Sequence, residues 1–491
     1  MSTVPRYGRS RFTLIGLLVV CVVGYAFFLA RYISPHAAGS DPSGYLHSAR
    51  LMSQGRLLAL PRVLPGYPPA EFGPRAIEPL GFMLRPDGLM APTYPTGYPL
   101  QLIVAAVFGW KHAATVLNVI TATVSGLLLF NYGRRLGLNV WSALGGVALL
   151  WSCPLFLFST FQPMSDLSAL GWSLAVCYFA MGTREDWRNG ILCGLAFGLS
   201  VLVRPTNVLL ILPLVVAFGL HWRLWLSFGI GAVPGAALLG FSNWRLYGSP
   251  FATGYGDISS IFGRGYLPHN LSHFSRWIPV LLTPLVILSV VAPIVAAART
   301  RGLAILSVWA LTIIGFYVFY YHAGETWWYL RFILPAFPAL ILATMVVLQT
   351  GWERTRRWPI PAAISLAAAV AGAAGWQFFQ TRKLDVLHLE AAERSYPDAA
   401  HWAQENLPAG SVLFCMQVSG AFYYYTEFLF FRWDLITPEK NDLLLAAVAR
   451  QNRPVYAALF SFETPEALDR IGGHWTALAT VGQVTFWQRQ P

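Results

Sequence analysis

The sequence predicts an all-α polytopic membrane domain of about eleven spanning helices, followed by a small extracytoplasmic α/β domain. Three observations predict it. The 491 residues are 56% hydrophobic and only 11% charged, against about 25% charged in ordinary soluble domains. Apolar runs of spanning length recur between short basic connections. The charge balance also changes sign near residue 380. Residues 1–380 hold ten acids and 25 Lys plus Arg, a balance of +15; residues 381–491 hold twelve acids and nine Lys plus Arg, a balance of −3. A basic apolar body (1–380) thus precedes a mildly acidic tail domain (381–491).

A span needs roughly 20 mostly apolar residues. Candidates fall at 12–33, 113–133, 141–161, 166–182, 189–203, 206–220, 224–245, 277–298, 303–322, 328–350 and 358–379. The first follows Arg6, Arg9 and Arg11 as a signal peptide would. Its length and the lack of a small-residue cleavage site make it an uncleaved span. The pair 189–203 and 206–220 is short and split at Arg204-Pro205, as two tilted spans or one broken element would be.

Charge sets the orientation. With the N-terminus cytoplasmic, the inner connections carry Arg134/Arg135, Arg184/Arg188, Arg223, Arg299/Arg301 and Arg354/Arg356/Arg357. Every one is then basic, as the positive-inside rule requires. Merging the split pair would put the last two groups outside. Eleven spans place the tail outside the cytoplasm. The basic residues flank apolar runs rather than cluster with aromatics, so the high pI does not point to nucleic acid. Cys21, Cys153, Cys177 and Cys193 lie in apolar runs and Cys415 in the tail, with no CxxC; they read as small buried hydrophobes.

Two outer segments are long, 34–112 and 246–276. In the first, Asp41-Pro42 opens an amphipathic stretch in which Asp41 suits a helix cap and Pro42 a first helical position. Residues 99–109 are apolar but too short to span, and suit an interfacial helix. In the tail, 395–407, 438–451 and 463–471 read as helices and 411–418, 454–460 and 475–487 as strands.

Orientation narrows the chemistry. Seven acids of the body fall on the outer side: Asp41, Glu71, Glu78, Asp87, Asp166, Asp257 and Glu325. Asp41 and Asp166 stand at span edges, where each reads as a helix-end carboxylate or a functional one. Arg204 interrupts an apolar stretch, where a guanidinium either snorkels to the interface or binds an anion such as phosphate bidentately. Arg331 enters a late span as a second anion contact or as the partner of Glu325. His269 and His273 stand at i, i+4 and would share a helical face, as metal ligands do. Trp327 and Trp328 form an interface belt.

In order along the chain come one span, the segment D-x-x-x-Y-L-x-x-A-R-L-x-x-x-G from Asp41 to Gly55, and Y-P-T-G-Y-P-L from Tyr94 to Leu100. QPMSD ends at Asp166, RPTN begins at Arg204, and YLRFILPAFPAL contains Arg331. This order resembles the GT-C superfamily of membrane glycosyltransferases, in the branch of protein mannosyltransferases and aminoarabinose transferases, over roughly residues 12–350. The resemblance implies transfer of a sugar from a polyprenyl-phosphate-linked donor to a glycan, lipid or protein acceptor at the outer face of a membrane, such as the bacterial inner membrane. It implies Asp41 as catalytic base, Asp166 as second acid, and Arg204 and Arg331 as the donor phosphate site. Tyr45, Glu78, Tyr94, Tyr98, His269 and Glu325 are the candidate substrate-binding residues. A divalent metal ion is the one cofactor the resemblance raises; some relatives carry an acid or His where this chain has Tyr94. The competing reading is a transporter or lipid flippase, which shares the broken helix but often shows two related halves; none is visible here.

Overall fold

The computed structural model describes residues 7–68, 71–182, 186–256, 258–296, 300–354 and 359–490. Arg6, Arg184, Asp257, Arg299, Arg356 and Arg357, which enter the signal-peptide reading, the orientation argument or the acid list above, lie outside the described residues. The body opens with α1 (Tyr7–Tyr32) and the short α2 (Asp41–Ser53). A two-stranded ribbon, β1 (Phe82–Leu84) and β2 (Met90–Pro92), leads to α3 (Gly97–Ala105). Next come α4 (Ala113–Arg135), α5 (Val140–Trp151), α6 (Pro154–Thr160), α7 (Ser165–Gly182) and α8 (Trp187–Val203). They are followed by α9 (Ile211–Phe218), α10 (Trp222–Tyr247), α11 (Leu267–Leu282), α12 (Leu288–Val295), α13 (Thr300–Tyr317), α14 (Phe337–Arg354) and α15 (Pro359–Lys383).

Among the described residues, three helices are long and apolar enough to cross a membrane: Trp110–Arg135, Trp222–Tyr247 and Trp327–Arg354. Two bent pairs raise that to five, α5 with α6 at 60° and Arg264–Leu282 with Pro284–Val295 at 119°. Five further apolar helices are shorter. The run expected as one span over 277–298 is therefore not straight. Thr283 adopts φ 87° and Pro284 follows it, which breaks the helix and turns the chain back.

Burial separates centre from rim. Phe337, Leu342, Met345 and Val346 of α14 are fully enclosed, whereas Leu226, Ile230, Val233, Phe241 and Trp244 of α10 are exposed. Apolar side chains exposed along a whole helix belong against lipid. Val104 of α3, and Val107 and Phe108 in the 3-10 turn that follows it, are also exposed, as an interfacial helix requires.

The tail comprises α16 (Leu389–Glu393), α17 (Ser395–Asn406), β3 (Val412–Cys415), α18 (Ser419–Tyr425), β4 (Leu429–Arg432), α19 (Pro438–Arg450), β5 (Val455–Phe460), α20 (Thr464–Ile471), β6 (Trp475–Val481) and β7 (Val484–Arg489). The sheet order is β4-β3-β5-β7-β6; β3 runs parallel to β4 and β5, and β7 antiparallel to β5 and β6. Two expectations change. The stretch 475–487 is a hairpin rather than one strand, turning at Gly482 with φ 58°. The strand 429–432 was not anticipated; four residues are too few to show a period.

Side chains alternate across the sheet with period two. Leu413, Cys415, Ala458 and Phe486 enter one core; Val412, Phe414, Ala457 and Leu459 enter the other. Both cores also take in the first loop. Leu51, Ala59, Phe82 and Met90 pack on the first face, and Leu64, Phe72, Ala76 and Ile77 on the second. The long loop is thereby built into the tail's interior.

Candidate active site

Four charged side chains from four separated elements meet in one network. Asp41 is the first residue of α2 and is followed by Pro42. Its Oδ2 lies 2.7 Å from Nη2 of Arg331. Asp166 sits in the first turn of α7, where the positive end of the helix favours a carboxylate. It accepts a hydrogen bond from Nη2 of Arg204, and its other oxygen lies 3.7 Å from Nη1 of Arg331. Both arginines are thus held by carboxylates, and the side chain of Asp166 is only 2% exposed, against 22% for Asp41. Asp41 is the accessible acid and Asp166 the buried one.

Local sequence explains the placement of each arginine. Pro205 bars the residue before it from helical angles. Arg204 accordingly closes α8 in an extended conformation, φ −144° and ψ 105°, and the chain resumes as a 3-10 turn over Pro205–Leu210. Arg331 lies within a ten-residue 3-10 run, Trp327–Ala336, ahead of α14. Such runs seldom exceed three or four residues, and longer ones mark strain or function. Its Nη1 also donates to the sulfur of Met164 at 2.7 Å, while its Nε is buried without a partner. Phe332 lies 5.7 Å from the guanidinium of Arg204 and 5.3 Å from that of Arg331, within cation–π range.

Tyrosines surround Asp41. The Tyr45 hydroxyl donates to Ser165 at 2.8 Å, and its ring packs on Tyr94 and Tyr98. The Tyr94 hydroxyl is 2.6 Å from that of Ser40 and lies against Asp41. Burial first, and the Asp41 charge second, hold both phenols above their ordinary range, so both remain protonated donors. Tyr98 donates to Asn118, which in turn donates to the carbonyls of Thr160 and Gln162 and fixes the turn before Asp166.

The network separates two cavities. Asp41 and Arg331 line one of about 690 Å³, whose walls include Trp327 and Trp328 and, from the tail, Glu393, Tyr396 and Gln417. Tyr45 and Arg204 line another of about 160 Å³, walled by Tyr255, Phe316, Tyr317, Tyr320 and Phe332.

The remaining candidates are placed elsewhere. Glu78 accepts from the Leu84 backbone N–H at 3.0 Å and pairs with Arg75. Glu325 pairs with His322 at 2.9 Å, not with Arg331. His269 and His273 share a face of α11, but their Nε2 atoms bond the carbonyls of Gly324 and Thr326 at 2.9 and 3.1 Å. They brace the loop that leads to Arg331. Among the described residues no group of three or more His, Cys, Asp or Glu is arranged to hold a metal ion. Asp41 and Asp166 are paired with guanidiniums, and the described residues around them supply no further ligand set that fits a metal centre. Met164 and Phe332 were not singled out in the sequence, although both lie inside quoted motifs. Glu393 gave no signal at all.

A body of bent and broken apolar helices followed by a C-terminal α/β domain is a class of fold shared with known membrane glycosyltransferases. Residues 93–246 match the family model of dolichyl-phosphate-mannose-protein mannosyltransferases. The apo structure of ArnT from Cupriavidus metallidurans is similar over 98% of both chains, with a TM-score of 0.66 and 14% identity. Its undecaprenyl-phosphate-bound structure matches 96% of this chain and 98% of that one, with a TM-score of 0.59 and 14% identity. The archaeal oligosaccharyltransferase AglB from Archaeoglobus fulgidus, in complex with an inhibitory peptide and a dolichol-phosphate, matches 95% of this chain and 74% of that one, at 0.54 and 10%. No curated protein matches the sequence. The chain has the GT-C fold that its motif order implies.

Proposed function

We propose that this protein is an inverting membrane glycosyltransferase. It moves a sugar from a polyprenyl-phosphate carrier to a hydroxyl of a glycan, lipid or protein acceptor at the outer face of a bacterial inner membrane. One observation carries the reading: Asp41, Asp166, Arg204 and Arg331, far apart in sequence, form a single contact network beside a 690 Å³ cavity. Catalysis needs such groups in direct reach of the reacting atoms.

Each residue then has a role. Arg331 and Arg204 hold the carrier phosphate and stabilise the charge it gains as the glycosidic bond breaks. Asp166, buried beneath them, fixes both guanidiniums. Asp41 takes the proton of the acceptor hydroxyl as its oxygen attacks the anomeric carbon. In the structure Asp41 is the partner of Arg331. A phosphate arriving at Arg331 replaces it and leaves the carboxylate free to act as base. A base on one side and a leaving phosphate on the other give in-line attack on an oxocarbenium-like centre, with inversion. No step runs through a metal ion.

The orientation belongs to the same proposal. Eleven spans, a cytoplasmic N-terminus, a membrane domain over 1–380 and an outer domain over 381–491 put the cavity where a lipid-linked sugar and an external acceptor can meet. The basic connections support this arrangement. The test is transfer by the purified protein in nanodiscs from a panel of undecaprenyl-phosphate sugars. The expected result is one donor consumed, with a product of opposite anomeric configuration. Retained configuration, or movement of intact carrier across the bilayer without transfer, contradicts the proposal.

A further inference from the structure

The tail forms one wall of the Asp41 cavity, and that wall holds a carboxyl oxygen that is buried without a hydrogen-bond partner. Glu393, Tyr396, Gln417 and Gln483 line the same cavity as Trp327 and Trp328 of the body. The Oε2 atom of Glu393 is shut off from solvent and has no hydrogen-bond partner. Its charged neighbours are engaged elsewhere: Arg394 binds Glu390 at 2.6 Å, and His388 pairs with Asp385. Desolvation pushes the Glu393 carboxyl up to about 7. A buried polar group without a partner opposes folding, and an apolar residue or an amide would serve packing better.

We propose that Glu393 is a substrate-recognition residue, which with Gln417 and the tryptophans lining the same cavity forms a subsite for a hydroxyl-rich ring. The ring is the donor's sugar or the acceptor's head group; both bring hydroxyls to satisfy a buried carboxyl, and both must reach Asp41 through this cavity. Pockets for such ligands combine aromatic walls with a few placed polar groups. Gln417 is already oriented, its amide donating to the Tyr396 hydroxyl at 2.8 Å. The tail is then part of the substrate site. The inference rests on the proposed transferase reading.

The experiment uses the full chain in nanodiscs, as wild type, Glu393→Ala and Glu393→Gln. It measures binding of undecaprenyl phosphate, binding of the undecaprenyl-phosphate sugar that supports transfer, and KM for the acceptor. Glu393→Ala is expected to weaken one sugar-bearing ligand by about tenfold, the loss of a charge-assisted hydrogen bond, while bare undecaprenyl phosphate binds as before. Weaker binding of the glycosylated carrier assigns the subsite to the donor; a raised acceptor KM with both carriers unchanged assigns it to the acceptor. Both variants should unfold at or above the wild-type temperature, since each removes a buried carboxyl oxygen that had no hydrogen-bond partner. Unchanged binding and KM, or a marked fall in unfolding temperature, overturns the role. A wild type that transfers no sugar from any donor overturns the transferase reading itself, a result separable from the first.

Discussion

Arg331 reaches in three directions, to Asp41 at 2.7 Å, to the Met164 sulfur at 2.7 Å and, as a looser ion pair, to Asp166 at 3.7 Å. Two guanidiniums and two carboxylates nearly cancel, which makes a network of this size tolerable in a poorly hydrated place. Removing one member exposes that balance. Asp166→Ala leaves Arg204 and Arg331 short of counter-charge and should destabilise the protein by about 3–5 kcal/mol. The checking measurement is thermal unfolding in detergent; an unchanged midpoint would show that the pair contributes nothing. All four residues were legible in the sequence, because a charge in or beside an apolar run stands out. Their pairing was not. Glu325 lies six residues from Arg331 and was its natural partner on paper, yet it faces His322. Asp41 looked equally fit to cap its own helix, and instead meets Arg331.

At the scale of elements, the position of Arg204 depends on α8, and α8 depends on α10. Gly190, Gly194 and Gly198 recur every four residues on α8, opposite Gly231 and Gly235 of α10. A Cβ at Gly194 would collide with the carbonyl of Phe228, and one at Gly231 with that of Ile191. Membrane helices use small residues in this way to bring backbones close. Gly194→Val should push the helices apart, at a cost of about 1–3 kcal/mol or more from overpacking. It should also lower transfer by displacing Arg204 at the end of α8. Wild-type unfolding temperature and activity in that variant would refute the packing argument. The Arg204-Pro205 break was readable, since proline constrains the residue before it. The 119° turn at Thr283-Pro284 was not, because hydropathy runs through it unchanged.

For the whole molecule, the first loop joins tail to body. Arg62 is the clearest fastener: its guanidinium donates to the carbonyls of Phe422, Tyr423, Thr426 and Phe428, closing the end of α18. The Tyr423 hydroxyl returns a bond to the Leu60 carbonyl at 2.7 Å, and the Tyr425 hydroxyl accepts from the Ala37 N–H at 2.9 Å, four residues from Asp41. Arg62→Ala leaves these carbonyls poorly satisfied, at about 1–3 kcal/mol, and should make the tail more sensitive to limited proteolysis. Identical digestion of variant and wild type would contradict the joint. A helical body and an α/β tail were visible in composition and period. The shared core was not, because Leu64, Phe72, Ala76 and Ile77 lie in a Pro- and Gly-rich stretch without periodicity, and only the tail gives them something to pack on.

The role of Asp41 as base unites these scales. The direct measurement is single-turnover transfer from the lipid-linked donor by wild type and Asp41→Asn, with undecaprenyl-phosphate binding followed on the same preparations. The expected result is a rate lower by about 10²–10⁴, the usual contribution of a general base. Carrier binding should be retained or tightened, since Arg331 loses the partner that competes with phosphate. Transfer at the wild-type rate by Asp41→Asn would contradict the assignment.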